Sequence, residues 1–137
     1  DSEGNFISKF GSQGNGNDQF NYPIGVAVNS KGNIIVSDQN NYRIQMFNSE
    51  REYISTPSNT YGQIYVRGIC VDLSDNILVC NYNNCTIHVF NSEGTFTNSF
   101  GSEVSYPTGI AVDPQTQDII VYGNLNVAIH WENSPTE

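Results

Sequence analysis

The stretch Phe20–Phe47, FNYPIGVAVNSKGNIIVSDQNNYRIQMF, decides how this chain is read, because two later stretches repeat it. Its body returns as VRGICVDLSDNILVCNYNNCTIHVF over Val66–Phe90, and again as PTGIAVDPQTQDIIVYGNLNVAIHWE over Pro107–Glu132. The matching glycines are Gly25, Gly68 and Gly109, spaced 43 and then 41 residues apart. A period of about 40 residues built from short apolar runs means one supersecondary unit per repeat, most often a propeller blade. The first unit holds the runs GVAV, NIIVS and RIQMF, and a fourth, weaker run follows, as in TFTNSF at Thr95–Phe100. Four short strands per unit make an all-β blade.

Outward from that stretch, residues 1–12, DSEGNFISKFGS, match NSEGTFTNSFGS at 91–102 almost position for position. They therefore read as the fourth, outermost strand of a blade whose other strands do not stand in front of them. A Gly/Asn loop over 13–21 leads to Tyr22-Pro23, where proline fixes an extended approach. Blade one then predicts strands at 24–29, 33–38 and 42–47, a hairpin turn at Lys31-Gly32-Asn33 and an outer strand at 51–56. Blade two runs from 66 to 100, with Ser74-Asp75-Asn76 as the matching turn. Blade three starts at Tyr106-Pro107 and stops at Asn133-Ser134-Pro135, where its outer strand should begin. The resulting division is 1–19 for a closing strand and loop, 20–60 for blade one, 61–104 for blade two and 105–137 for blade three.

The runs IIV, ILV and IIV at 34–36, 77–79 and 119–121 are apolar on both faces, as in a sheet sandwiched between neighbours. Three blades in a row leave two such faces and one strand edge in water, which a soluble monomer rarely tolerates.

Composition narrows the partners. The formal net charge is −9, and the basic residues Lys9, Lys31, Arg43, Arg51 and Arg67 are scattered. A nucleic-acid binder needs a basic stripe to neutralise phosphates, so nucleic acid is a disfavoured partner. No run of about 18 apolar residues exists to span a membrane. Charged residues make up 14% of the chain, below the ~25% usual for globular domains. That low charge, with an opening Asp1 in place of methionine, favours an extracellular, secreted setting. Cys80 and Cys85 bracket the turn NYNN and are placed to face each other across a hairpin. Opposed residues there lie ~5.5 Å apart, within disulfide reach. Two ordinary half-buried thiols are the equal alternative.

The span Phe10–Phe47 resembles the NHL-repeat family. It carries a glycine-rich lead-in, a Pro-x-Gly start, a Gly-Asn turn, Val-x-Asp at the end of strand two and Asn-x-Arg-Ile at the start of strand three. The polar pair that the family sets between blades stands here as Asp38 with Arg43; it becomes Asn81 with Thr86, then Gly123 with Ala128. The resemblance implies a six-bladed propeller, ~260 residues at this period. This chain supplies three blades. A two-fold homodimer would close the ring, residues 1–12 of one chain adding as a strand to blade three of the other. A half-domain cut from a longer chain is the other reading.

Chemistry is sparse. His88 and His130 align at one position of strand three, with Gln45 in blade one, and read as a repeated polar position. The amidating-lyase relatives of this fold use several histidines around a metal, which two cannot reproduce. Asp72, Asp75, Asp113 and Asp118 sit in turns at no calcium-loop spacing. The expectation is a non-enzyme with no metal and no cofactor.

Recognition is better supported. In a propeller, the loops leading into strand one and those joining strands two and three share a face. The first set presents Tyr22, Tyr65 and Tyr106, and the second presents Gln39, Asn40, Tyr42, Arg43, Tyr82, Asn83, Asn124 and Asn126. Rings stack on sugar faces while amides bond hydroxyls, so the first reading is a lectin-like glycan binder. The alternative is a protein-interaction module of the kind found in tripartite-motif ubiquitin ligases, which would be cytoplasmic.

Overall fold

A computed structural model describes residues 2–57 and 64–130. Strands β1 (Ser12–Gln13) and β2 (Gln19–Phe20) form a short parallel pair in the lead-in loop. Three antiparallel meanders follow. Blade one is β3 (Pro23–Val28), β4 (Ile34–Asp38), β5 (Arg43–Phe47) and β6 (Tyr53–Ser55). Blade two is β7 (Val66–Val71), β8 (Ile77–Asn81), β9 (Thr86–Phe90) and β10 (Phe96–Gly101). Blade three shows β11 (Gly109–Val112), β12 (Ile119–Tyr122) and β13 (Val127–His130). The second strands of blades one and two carry β-branched residues and are buried on both faces, as a sandwiched sheet requires.

Two seams hold the blades together. Ile35, Ile44 and Met46 of blade one pack on Ile69, Ile77, Val79 and Phe90 of blade two. Leu78, Cys80 and Ile87 of blade two pack on Ile119 and Val121 of blade three. Along the inner rim the first strands come closest. The Gly68 N–H donates to the Thr108 carbonyl at 2.8 Å across the second seam. A methyl group on Gly68 would stand 2.6 Å from that carbonyl oxygen and 2.7 Å from the Gly109 Cα. The repeated glycine is thus set by backbone approach between blades.

The hairpin turns share one device. Asn29 accepts hydrogen bonds at Oδ1 from the Lys31 and Asn33 amides, both within 3.0 Å. Asn48, Asp72, Asn91 and Asp113 do the same for amides two, three or four residues on. Most of these turns close through a left-handed residue, such as Gly32 at φ 81° or Asp75 at φ 62°. Asp72 and Asp113 are therefore turn formers. Asp75 instead reaches out to the Ser30 amide and hydroxyl of blade one, and those bonds hold its carboxyl below the usual range.

Three expectations are corrected, and a fourth falls outside the described residues. Residues 4–11 form no strand, because no third strand lies beside them to supply a ladder; only Ser12–Gln13 pairs, within its own loop. The outer strand of blade one shrinks to Tyr53–Ser55. The outer strand expected at Asn133-Ser134-Pro135 lies outside the described residues. Finally, His88 and His130 are not equivalent. His88 stands opposite Val79, whereas His130 stands opposite Ile119, as Phe90 stands opposite Ile77 and Phe47 opposite Ile34. Ala128, opposite Val121, takes the place of His88.

His88 is buried, its Nε2 lies 3.3 Å from the Asn81 amide nitrogen, and its Nδ1 has no hydrogen-bond partner. Burial disfavours the charged ring and lowers its pKa from the usual 6.5. The folded protein then binds fewer protons than the unfolded chain below that pH, so stability falls as acidity rises from pH 6.5. His88→Gln, which installs the blade-one residue, should flatten urea-unfolding stability between about pH 6.5 and 5; an unchanged slope would assign the titration elsewhere. Gly68→Ala should lower the urea-derived stability by about 1–3 kcal/mol, with backbone as the clashing neighbour.

Candidate ligand-recognition face

The loops before strand one and between strands two and three are stitched together in each blade. The Gln39 and Asn40 amides donate to the carbonyls of Tyr22 and Asn21. The Tyr82 amide donates to Tyr65, and the Asn124 amide to Ser105. All the loops anticipated for binding therefore lie on one rim.

At each seam the tyrosines of neighbouring blades meet. Tyr42 of blade one and Tyr65 of blade two pack edge to face at 4.9 Å, their hydroxyls 3.3 Å apart. That contact raises the Tyr42 pKa, mainly through the hydrogen bond. Tyr82 of blade two and Tyr106 of blade three lie 5.0 Å apart at 37°. The Arg67 guanidinium caps the Tyr82 ring at 4.3 Å from its centroid. Three of these rings sit on special backbone. Tyr22, Tyr42 and Tyr106 all have φ between 54° and 66°, in the left-handed region. Such conformations are costly for non-glycine residues and hold the side chains at a fixed angle.

Arg43 does not belong to this face. Its Nε donates to Asp38 at 3.1 Å, and its guanidinium also donates to the Gly16 and Gln19 carbonyls. Asp38 is fully buried and further accepts from the Asn21 amide and the Asn41 side chain. Gln45, also fully buried, bonds the Gln19 carbonyl and the Asp18 amide. These side chains clamp the lead-in loop onto blade one. Blade two keeps a neutral version, Asn81 with His88.

Cys80 and Cys85 do not face each other. Cys80 is buried opposite Ile87, and burial pushes its thiol up to about 12. Cys85 sits before β9 at φ 55°, the place Tyr42 holds before β5. No disulfide forms among the described residues.

Of the amide side chains, Asn40, Asn83, Asn124 and Asn126 are exposed, whereas Gln39 is half-buried. The residue missed from sequence is Arg67. It occupies the position before the repeated glycine, held by Ile24 and Thr108 in the other blades. A cation at that rim position was the available signal. Among the described residues no group of three or more His, Cys, Asp or Glu could hold a metal ion. No helix among them is long and apolar enough to cross a membrane.

Residues 20–47 match the family model for the NHL repeat. The B-box type zinc finger protein ncl-1 of Caenorhabditis elegans is 51% identical over 45 residues, covering 33% of this chain and 5% of that protein. The E3 ubiquitin-protein ligase TRIM32 of Homo sapiens is 43% identical over 42 residues, covering 31% of this chain and 6% of that protein. The matched stretch thus spans a small fraction of the length of these relatives. Among solved structures, the WD40 β-propeller domain of Doa1 matches at a TM-score of 0.62 with 15% identity, covering 76% of this chain and 34% of that one. A gluconolactonase of Xanthomonas campestris matches at 0.65 with 17% identity, covering 81% and 38%. At such identities these two likenesses speak to the fold alone. Residues 20–47 thus carry an NHL repeat, and the blades around it have the fold of a β-propeller.

Proposed function

We propose that the chain is a non-catalytic protein-recognition module that binds its partner on the tyrosine-bearing rim. The observation that carries this reading is the pairing of Tyr82 with Tyr106 under the Arg67 guanidinium. Tyrosine and arginine held in a rigid cluster are the composition of protein-binding hot spots. A sugar needs an open ring face to stack on. Here Arg67 covers one face of Tyr82, and Tyr42 and Tyr65 turn edge to face toward each other. The comparisons add weight on the same side, since one relative is an E3 ubiquitin-protein ligase, an enzyme that must hold a protein substrate. The glycan-binding alternative has no such support.

A net charge of −9 favours partners with basic segments, through faster encounter. Cysteines outside any disulfide suit a reducing compartment such as the cytoplasm.

A random-sequence peptide display library panned against the chain tests the reading. Selected peptides should lose at least tenfold in affinity for Tyr82→Ala combined with Tyr106→Ala, the range of a hot-spot pair. Thermal stability should drop by only about 1–2 kcal/mol, for the lost ring and cation–π contacts. Peptides unaffected by the pair, or glycan-array binding that the pair abolishes, would overturn the proposal.

A further inference from the structure

Among the first strands β3, β7 and β11, Arg67 is the one charged residue. Its backbone is fixed from both sides. The Ser37 hydroxyl of blade one donates to its carbonyl at 2.8 Å, and the amide of the next residue, Gly68, donates to Thr108 of blade three at 2.8 Å. The side chain is anchored as well. Its guanidinium carbon stands 4.3 Å from the centroid of the Tyr82 ring, and that ring rests on Tyr106 of blade three. All three blades therefore hold this cation at one place on the inner rim. What it lacks is an anion. Among the described residues its guanidinium makes no hydrogen bond, and the ion pair found there joins Arg43 to Asp38. Arg43 spends its donors on that carboxylate and two loop carbonyls, whereas Arg67, also half-buried, keeps its N–H groups unengaged. A guanidinium cannot shed its proton, and half-removed from water its five donors gain most from a charged acceptor.

The acids behind the net charge of −9 lie elsewhere. Glu50, Glu52, Asp75, Glu93, Asp113 and Asp118 sit in the hairpin turns, at the other end of the strands from the rim. Of the acids in the lead-in loops, Glu103 stands beside Gly101 at the end of the outermost strand of blade two, and Asp18 lies over β5, its amide bonded to Gln45. The charge in contact with the Tyr82–Tyr106 pair is thus a positive one. Acids at the turns steer a basic stretch of a partner from a distance, while Arg67 reads what makes contact. A single guanidinium matches a carboxylate, which spreads one charge over two oxygens in the geometry of its fork. A phosphate group or a nucleic-acid backbone draws clustered cations, and the loops of the rim contain no other Lys or Arg.

We propose that Arg67 selects a partner segment that presents an aspartate or glutamate side chain, holding its carboxylate bidentately while the Tyr82 ring backs the cation. The exposed amide side chains flank that place: Asn83 follows Tyr82, and the backbone amide of Asn124 donates to Ser105, next to Tyr106. They take the peptide groups on either side of the acid. The assignment rests on the protein-recognition reading and adds to it the chemistry of the residue that is recognised.

Peptides selected from the random-sequence library, sorted by whether the Tyr82→Ala and Tyr106→Ala pair weakens them, decide the two readings separately. Tyrosine-dependent peptides should share an Asp or Glu at a fixed position, against the repulsion of a protein with net charge −9. Changing that residue to Asn or Gln should weaken binding to the wild-type chain by about tenfold, the range of a hydrogen bond to a charged group. Arg67→Gln should cost as much, and the peptide change should then cost nothing further. Arg67→Lys should not restore the wild-type affinity, because lysine lacks the fork. The peptide-side change needs no altered protein, so the outcome does not hang on the folding of an Arg67 variant. Tyrosine-dependent peptides with no shared acid, or an acid whose loss costs the same with and without Arg67, would overturn this assignment and leave the recognition reading standing. Peptides indifferent to the tyrosines would overturn both. A phosphorylated residue bound more tightly than the acid it replaces would overturn the carboxylate and give the site to phosphate.

Discussion

Everything in this molecule depends on how closely the first strands of successive blades approach. At the inner rim, the Gly68 amide reaches the Thr108 carbonyl with no room for a side chain between them. Gly25 is held in the same way, with a Cβ there meeting the Arg67 carbonyl at 3.0 Å and Ile69 at 3.1 Å. That approach fixes the separation of the sheets. It lets Ile35, Ile44 and Met46 interdigitate with Ile69, Ile77 and Val79 at one seam, and lets Leu78 and Ile87 reach Ile119 and Val121 at the next. It also brings the loop of one blade alongside the lead-in of the next, so that Tyr42 meets Tyr65 and Tyr82 meets Tyr106. The tyrosine-bearing rim is a by-product of the same spacing that makes the core.

Much of this was legible in residues. The spacing of Gly25, Gly68 and Gly109, and the doubly apolar runs at 34–36, 77–79 and 119–121, pointed to an all-β propeller of four-stranded blades, the fold that is found. What failed were statements needing register. His130 was paired with His88 by counting along the string, but blade three carries six residues between its first two strands where the others carry five. That one-residue change alters how β12 is read, and no local propensity reports it. Of the two readings of Cys80 and Cys85, the bridge fails for a related reason. The turn between β8 and β9 is four residues long and ends on a left-handed Cys85, so the residue facing Cys80 is Ile87. Arg43 reads as a loop cation in sequence; its two carbonyl acceptors lie 24 and 27 residues earlier, a contact that only folding reveals.

The seams also differ in polarity. Blade one buries the charge of Asp38 against a half-buried Arg43, and can do so because Asn21, Asn41 and two loop carbonyls satisfy the remaining donors and acceptors. Among the described residues, no glycine-rich loop is laid over the corresponding positions of blade two. That blade uses a neutral amide and imidazole there, and leaves His88 Nδ1 and the Thr86 hydroxyl without partners among the described residues. The drift from Asp38 to Asn81 therefore tracks the supply of backbone donors around each site, because a buried charge without them is far costlier than an amide.

The Asn and Asp side chains that close the hairpins carry a kinetic meaning. Each turn is secured within five or six residues, whereas each seam joins strands about 40 residues apart. Closing so short a loop is fast and costs little entropy, while the seam must wait for the next blade to exist. During synthesis each hairpin can form as it leaves the ribosome, presenting a finished face on which the following blade condenses. Assembly then runs from the N-terminus toward the C-terminus, one blade after another.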